Sequence, residues 1–273
     1  MIKILKKAVR VLDSTVDSLL LLVFLLLFLI GVYGLYDSYL VYLDANDTSI
    51  LKYKPGYDSG DDETKEILDD MVAWLTLDDT NVDYPIMQGE DNNEYLNKNP
   101  YGDYALSGSI FLDSRNAPDF SDYYSLVYGH HMEHDMMFGA LDKYLDEDYF
   151  YSHQTGTLFV KEIKEDEEKE EEGVEKGKEK EGEEKGGDKS EKVEYSISYK
   201  IRLFAVIESE GTQEAIFAPT ECDDETLDYV KEHAVYLDDT FEVGDDVKLI
   251  ALSTCKYPDT ADRTIVFGYL LDE

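Results

Sequence analysis

One cysteine, one histidine pair and one arginine carry the chemistry within reach of this chain. Cys255 closes the run Leu252-Ser253-Thr254-Cys255, and Arg263 follows eight residues later, ahead of the apolar run Thr264-Ile265-Val266-Phe267. A second stretch, Tyr128-Gly129-His130-His131, supplies the base that a cysteine nucleophile needs. A thiol attacks poorly until it is ionised, so cysteine enzymes place it beside a histidine or another cation. An arginine opening a strand next to that thiolate could hold a developing oxyanion or fix a substrate carbonyl.

Two other chemistries compete for these residues. Cys222 is the second of only two cysteines, so a disulfide to Cys255 is the alternative in an oxidising compartment. Against it, Cys255 ends an apolar strand beside the polar stretch 256–262, which suits an exposed reactive thiol. One bridge is also no framework for a domain large enough to build its own core. Cys222 then reads as a spare thiol in the loop before a helix. His130 and His134 stand four apart, the spacing of two zinc ligands on a helix. Here a strand ending at Gly129 precedes them, and Glu133 is misplaced for a His-Glu-x-x-His site, so no metal is assigned. His153 and His233 have no motif around them and read as surface residues.

The elements that must position these groups are mostly strands. Residues 108–112, 124–128, 157–160, 198–207, 247–253 and 264–271 are short runs rich in β-branched and aromatic residues. Two helices are expected. Asp61 to Leu75 gathers Ile67, Leu68, Met71, Val72 and Leu75 on one side, and Asp224 to Leu237 spaces Leu227, Val230 and Ala234 as a helix does.

Residues 19–36 are apolar enough to span a bilayer as a helix. Lys3, Lys6, Lys7 and Arg10 precede them, while Asp37, Asp44 and Asp47 follow, so residues 1–18 are expected in the cytoplasm and the rest outside. A cleaved signal peptide shares the basic start, but the run is long for one. Gly34-Leu35-Tyr36-Asp37 also lacks a small-x-small cleavage site, which favours an uncleaved anchor.

The formal net charge is −37. The run of Glu, Lys and Gly from Lys161 to Lys192 holds 15 acids against 9 lysines, so −31 remains on the rest of the chain. Nucleic acid is excluded as a partner, because phosphate binding needs a basic face. No loop has the EF-hand ligand spacing. The charged run, 161–193 with its flank, has too few apolar residues to bury anything. It falls between two strands and reads as a lengthened hairpin loop, which costs little because closure entropy grows only logarithmically with length.

The chain resembles the sortases, most closely those of class B. The resemblance runs through Trp74-Leu75-Thr76, Val82-Asp83-Tyr84-Pro85-Ile86-Met87-Gln88, Asn92-Asn93-Glu94-Tyr95-Leu96 and Gly108-Ser109-Ile110-Phe111-Leu112-Asp113. It continues in Tyr128-Gly129-His130-His131-Met132 and Met137-Phe138, and closes on Leu252-Ser253-Thr254-Cys255 and Arg263. Ala251 stands where a threonine commonly begins the cysteine motif, a strand position with no part in the chemistry.

The fold this resemblance implies is mostly β. It is a closed eight-stranded barrel over residues 76–273, with N-terminal helices in an extension over 37–75, a helix before the catalytic strand and one transmembrane helix ahead. The function it implies is transpeptidation. Cys255 would attack the threonine carbonyl of a C-terminal sorting signal on a secreted protein, Arg263 would hold the oxyanion, and His130 would act as acid and then base. Asn92, Leu96, Tyr128, Ser253 and Thr254 match positions of the substrate groove, and His131 points elsewhere. The implied acceptor is an amine of a cell-wall precursor or a pilin, with the bilayer as a further partner and no cofactor. Two alternatives stay open: a cysteine peptidase that hydrolyses its acyl-enzyme, and a non-enzymatic, membrane-anchored binding module with a disulfide.

Overall fold

The computed structural model describes residues 2–57, 67, 69–162, 193–221, 224–240, 247–255 and 262–272. They fall into two units, Met1–Asn46 and Asp47–Glu273. The first unit is a single helix, α1 (Ile2–Ala45). At 1.5 Å per residue its 44 residues run to roughly 65 Å, about twice the thickness of a bilayer's hydrocarbon core. It therefore extends well beyond the apolar run at 19–36. It is long and apolar enough to cross a membrane, with a mean hydropathy of 2.8 in its candidate span.

Among its described residues the second unit holds nine strands: β1 (Met71–Leu77), β2 (Asp83–Met87), β3 (Ile110–Leu112), β4 (Tyr124–Gly129), β5 (Thr155–Lys161), β6 (Tyr195–Glu210), β7 (Tyr236–Leu237), β8 (Lys248–Cys255) and β9 (Asp262–Asp272). Their order is β5-β1-β2-β3-β4-β8-β9-β6-β7, and a further β5–β6 pairing joins the ends. Eight strands thus close the expected barrel, which leaves no open edge among them. The two-residue β7 lies outside the ring on β6. Short helices α2 (Glu147–Ser152), α3 (Glu214–Phe217) and α4 (Asp224–His233) complete the unit, with 3-10 helices at Thr48–Tyr53, Glu94–Leu96, Phe138–Leu145 and Pro219–Glu221.

Two expectations need correction. Met71–Leu75, expected as the end of a helix from Asp61, forms most of strand β1. Almost every residue of β1 is buried, so its apolar run lacks the alternation that marks a one-sided strand, and periodicity could not separate strand from helix. The rest of that helix call, apart from Ile67, Asp69 and Asp70, lies outside the described residues. The second expected helix stops at His233, and Tyr236 and Leu237 pair instead with Val206 and Ala205. The six strands read from the sequence all form, most of them longer than expected. The charged run joins β5 to its antiparallel neighbour β6, as a hairpin connection should, and Glu162 N–H donates to Glu194 O at 2.8 Å at its base. Residues 163–192 lie outside the described residues.

One apolar cluster matters most for the site. Tyr124 and Leu126 of β4, Leu249 and Ala251 of β8, and Ile265 and Phe267 of β9 present alternate residues to Ile216 of α3 and Val230 of α4. The side chains in between point the other way, into the barrel, as strand geometry requires. Gly129 shows this, because a Cβ there would meet Ile110 and Phe138 at 2.5–2.7 Å. The face of β4, β8 and β9 under α3 and α4 is thus distinct from the inward face, and both matter at the strand ends.

Candidate active site

Strand register gathers the residues that chemistry singled out. Cys255 and Arg263 are direct partners on β8 and β9. Gly129 of β4 pairs with Thr254 of β8, so the next residue along, His130, stands at the level of Cys255. Three neighbouring strands therefore deliver His130, Cys255 and Arg263 to one end of the barrel, although they lie up to 133 positions apart in the chain. Parallel pairing of β4 with β8 is what makes both strands end, rather than one begin, at this level.

His130 is held on both its side chain and its backbone. Its Nε2 lies 2.7 Å from the carbonyl oxygen of Leu96. A carbonyl only accepts, so Nε2 carries the hydrogen and Nδ1 is left as the nitrogen able to take and return a proton. The His130 carbonyl in turn accepts from Phe138 N–H at 3.0 Å. Gly108 closes the pocket with φ +60°, where a Cβ would sit 2.6 Å from Leu96 O and 3.0 Å from His130 Cδ2. Gly108 is thus a site residue that the sequence reading quoted without a role. Its signal was a lone glycine beside a strand start, which is ordinary turn chemistry until its neighbours are known.

The expected groove residues divide into two groups. Asn92 and Tyr128 converge on Asp113, whose side chain is fully buried. Its carboxylate accepts from Asn92 Nδ2 at 2.8 Å, Tyr128 OH at 3.0 Å, Arg115 Nε and Nη2 at 2.8 Å each, and Arg115 N–H at 3.0 Å. Burial alone would raise the Asp113 pKa, but the bonds from Arg115, Asn92 and Tyr128 outweigh it and hold the carboxyl below its ordinary range. Burial, with the Asp113 charge behind it, pushes the Tyr128 phenol well above its ordinary value, so it stays a neutral donor. The Tyr128 ring lies nearly parallel to Phe217 of α3, centroids 6.5 Å apart, and Arg115 Nη2 also donates to Phe217 O at 2.7 Å. Tyr128 packs against two apolar clusters, the one under α3 and α4 and a second built on Trp74, Tyr95 and Phe111. Leu96 serves His130 through its carbonyl and packs its side chain against that second cluster.

Ser253 and Thr254 form the other group. Ser253 pairs with Tyr128 and Ile265, and Thr254 with Gly129 and Thr264. Both side chains are buried, and neither hydroxyl has a hydrogen-bond partner among the described residues. Alternation puts Thr254 on the inward face, opposite to Ser253. His131, next to His130, also turns away, and its Nε2 lies 2.8 Å from Asp142 Oδ2. Asp113, Arg115 and Asp142 gave no warning in sequence, since isolated charged residues at loop positions are common. Cys222 lies outside the described residues.

Comparison with known proteins matches this architecture to one family. A profile of the Sortase domain matches residues 75–271. The chain is 33% identical over 192 residues to sortase B of Listeria monocytogenes, covering 68% of this chain and 63% of that protein, just under two thirds of its length. Among solved structures it resembles a Streptococcus pyogenes class B sortase involved in pilus biogenesis, with 33% identity, a TM-score of 0.57 and coverage of 74% of this chain and 92% of that one. A Bacillus anthracis protein described as similar to sortase B gives 28% identity and a TM-score of 0.54 over 75% of this chain and 78% of its own.

Proposed function

This chain belongs to the sortase family, with class B sortases as its relatives, and on that premise we propose that it is a membrane-anchored cysteine transpeptidase acting on C-terminal sorting signals. The observation that carries the reading is the register: Cys255 opposite Arg263, and His130 one residue beyond the Gly129–Thr254 pair.

In the first half-reaction the Cys255 thiolate attacks the carbonyl carbon of the scissile peptide bond, and charge moves onto the carbonyl oxygen. Arg263 offers that oxyanion a planar set of donors. As the C–N bond breaks, His130 gives its Nδ1 proton to the departing amine, and the acyl group remains as a thioester. In the second half an incoming amine attacks the thioester, Nδ1 takes its proton, and the C–S bond breaks to return the thiolate. The bond from Nε2–H to the Leu96 carbonyl supports this division, since it keeps Nε2 out of the proton traffic.

Tyr128 and Asn92, braced by Asp113, form one wall of the groove for the sorting signal. Leu96 lies beside His130, and Ser253 behind Tyr128. Thr254, on the inward face, contributes by holding β8 against β4 and β9. α1 anchors the protein in a cell membrane, with the basic residues at its start in the cytoplasm and the barrel outside, where secreted substrates emerge. The acceptor is an amine of a cell-wall precursor or a pilin; the pilus role of the streptococcal relative supports the latter.

The test is to incubate the full-length protein in detergent with a library of sorting-signal peptides and to look for the acyl-enzyme by mass spectrometry. A mass increase on the Cys255 peptide, discharged by an added amine to a new amide, is the expected result. A thioester that only water discharges would make the protein a peptidase.

A further inference from the structure

Asp142 lies on the 3-10 helix Phe138–Leu145, outside the three strands of the proposed site, yet its carboxylate reaches a residue just past the end of β4 and one within β9. Oδ2 lies 2.8 Å from His131 Nε2, and Oδ1 accepts from Thr264 Oγ1 at 3.0 Å. His131 is the residue after His130, and Thr264 is the residue after Arg263. Thr264 is also the register partner of Thr254, the residue before Cys255. The carboxylate thus engages the inward-facing neighbours of the proposed catalytic histidine and arginine, and it does so across β8, whose inward residue Thr254 pairs with Gly129 and Thr264, two residues short of His131.

We infer that Asp142 is a positioning residue that sets the spacing of His130 from Arg263 across Cys255. β4 and β9 are not paired with each other, because β8 lies between them. Adjacent strands lie ~4.8 Å apart, so the two ends are separated by about 10 Å, and errors at each pairing accumulate over that span. β4 ends at Gly129, so His130 and His131 lie beyond its ladder, whereas Thr264 is paired on both sides within the sheet. A single carboxylate bonded to His131 and Thr264 removes that freedom. Because a carboxylate only accepts, the bond fixes the His131 hydrogen on Nε2 and holds the backbone of His130–His131 from the side opposite to Leu96. Thr264 is fully buried, so its bond is sheltered from water, while the Asp142 side chain is 37% exposed. Its action is through geometry, and geometry matters steeply, since misplacement of a catalytic group by ~1 Å can cost about a hundredfold.

The inference rests on the proposed catalytic reading, so its test separates the two. The full-length protein in detergent is alkylated with iodoacetamide, and the rates at Cys255 and Cys222 are followed by peptide mass spectrometry, with thermal unfolding measured in parallel. In the wild type Cys255 should react much faster than Cys222; equal rates would remove the catalytic reading and the inference with it. Given that enhancement, Asp142→Ala should slow Cys255 about tenfold while Cys222 and the unfolding temperature change little. Thr264→Val should slow it about threefold, and Thr264→Ser, which keeps the donor, should restore most of the rate. His131→Gln, which keeps an N–H near the place of Nε2, should likewise outperform His131→Ala. Where peptide acylation is measurable, the loss should fall in kcat with KM unchanged. Wild-type Cys255 reactivity in Asp142→Ala overturns the inference. So does a fall that Cys222 and the unfolding temperature share, which would make Asp142 a structural residue only.

Discussion

The two faces of β4, β8 and β9 end in the same three rungs but are built for different tasks. On one face stand the positions of His130, Cys255 and Arg263, with Tyr128 and Ser253 one step back along their strands. On the other stand His131 and Thr264, which follow His130 and Arg263, and Thr254, which precedes Cys255, with Asp142 joining the first two. Each face has its own carboxylate. Among the described residues Asp113, fully buried, accepts five hydrogen bonds and braces Tyr128 and Asn92, whereas Asp142 is partly exposed and accepts two. A buried, fully bonded carboxylate makes a rigid wall and leaves an uncompensated polar site when one partner is lost. An accessible carboxylate with two bonds can align strands at small cost in stability. On the proposed reading, reactive groups on strand ends draw support from the face that does no chemistry.

The sharpest way to break the comparison is to remove the proposed nucleophile. Cys255→Ala should abolish acyl-enzyme formation and leave the unfolding temperature close to wild type, while Cys222→Ala should retain nearly full turnover. Equal damage from the two would revive the disulfide. Next comes the histidine pair: His130→Ala should cost ~10² to 10⁴ in acylation rate, the usual worth of general acid–base help, and His131→Ala roughly tenfold. If the larger loss followed His131, the two faces would be misassigned.

Gly108→Ala sharpens the picture from the His130 side. Its Cβ would collide with Leu96 O and press on His130 Cδ2, and its φ of +60° adds strain. We expect a loss of about tenfold or more in kcat, measured on protein that still unfolds cooperatively. Asp113→Asn probes the rigid wall through stability, with an expected cost of roughly 1 to 3 kcal/mol at pH 7 by chemical denaturation. The sign with pH follows from its lowered native pKa. Its stabilisation is fully present above the ordinary carboxyl value near ~3.9 and fades as pH falls through the depressed native value, so the gap between variant and wild type should narrow below about pH 4. The smallest effect is expected far from both faces. Deleting 163–192 and closing β5 to β6 with a short turn should change neither unfolding temperature nor turnover, and a folded but inactive deletion variant would give the charged run a function.

Much of the candidate site was legible because the chemistry proposed for it needs rare residue types. Cys255, a histidine after a strand-ending glycine, and Arg263 opening a strand are few enough to stand out, and their strands are rich in β-branched residues. β1 was misread because burial on both faces erases the period by which a strand is recognised. β2, with Pro85 inside it, and the two-residue β7 offered too little pattern to be read as strands at all.

What the sequence by itself determined is the set of groups and their local geometry: an apolar helix at the start, short strands, and a thiol, an imidazole and a guanidinium at strand ends. Local sterics and side-chain alternation are properties of neighbouring residues, so they are written in order along the chain. Which strands lie side by side is not. The parallel pairing of β4 with β8, the bond from His130 to the Leu96 carbonyl, and the convergence of Asn92, Arg115 and Tyr128 on Asp113 join residues from 2 to more than 100 positions apart. Only closure of the barrel decided these contacts, because a buried carboxylate or a fixed tautomer exists only where distant backbone and side-chain donors are brought within hydrogen-bond distance.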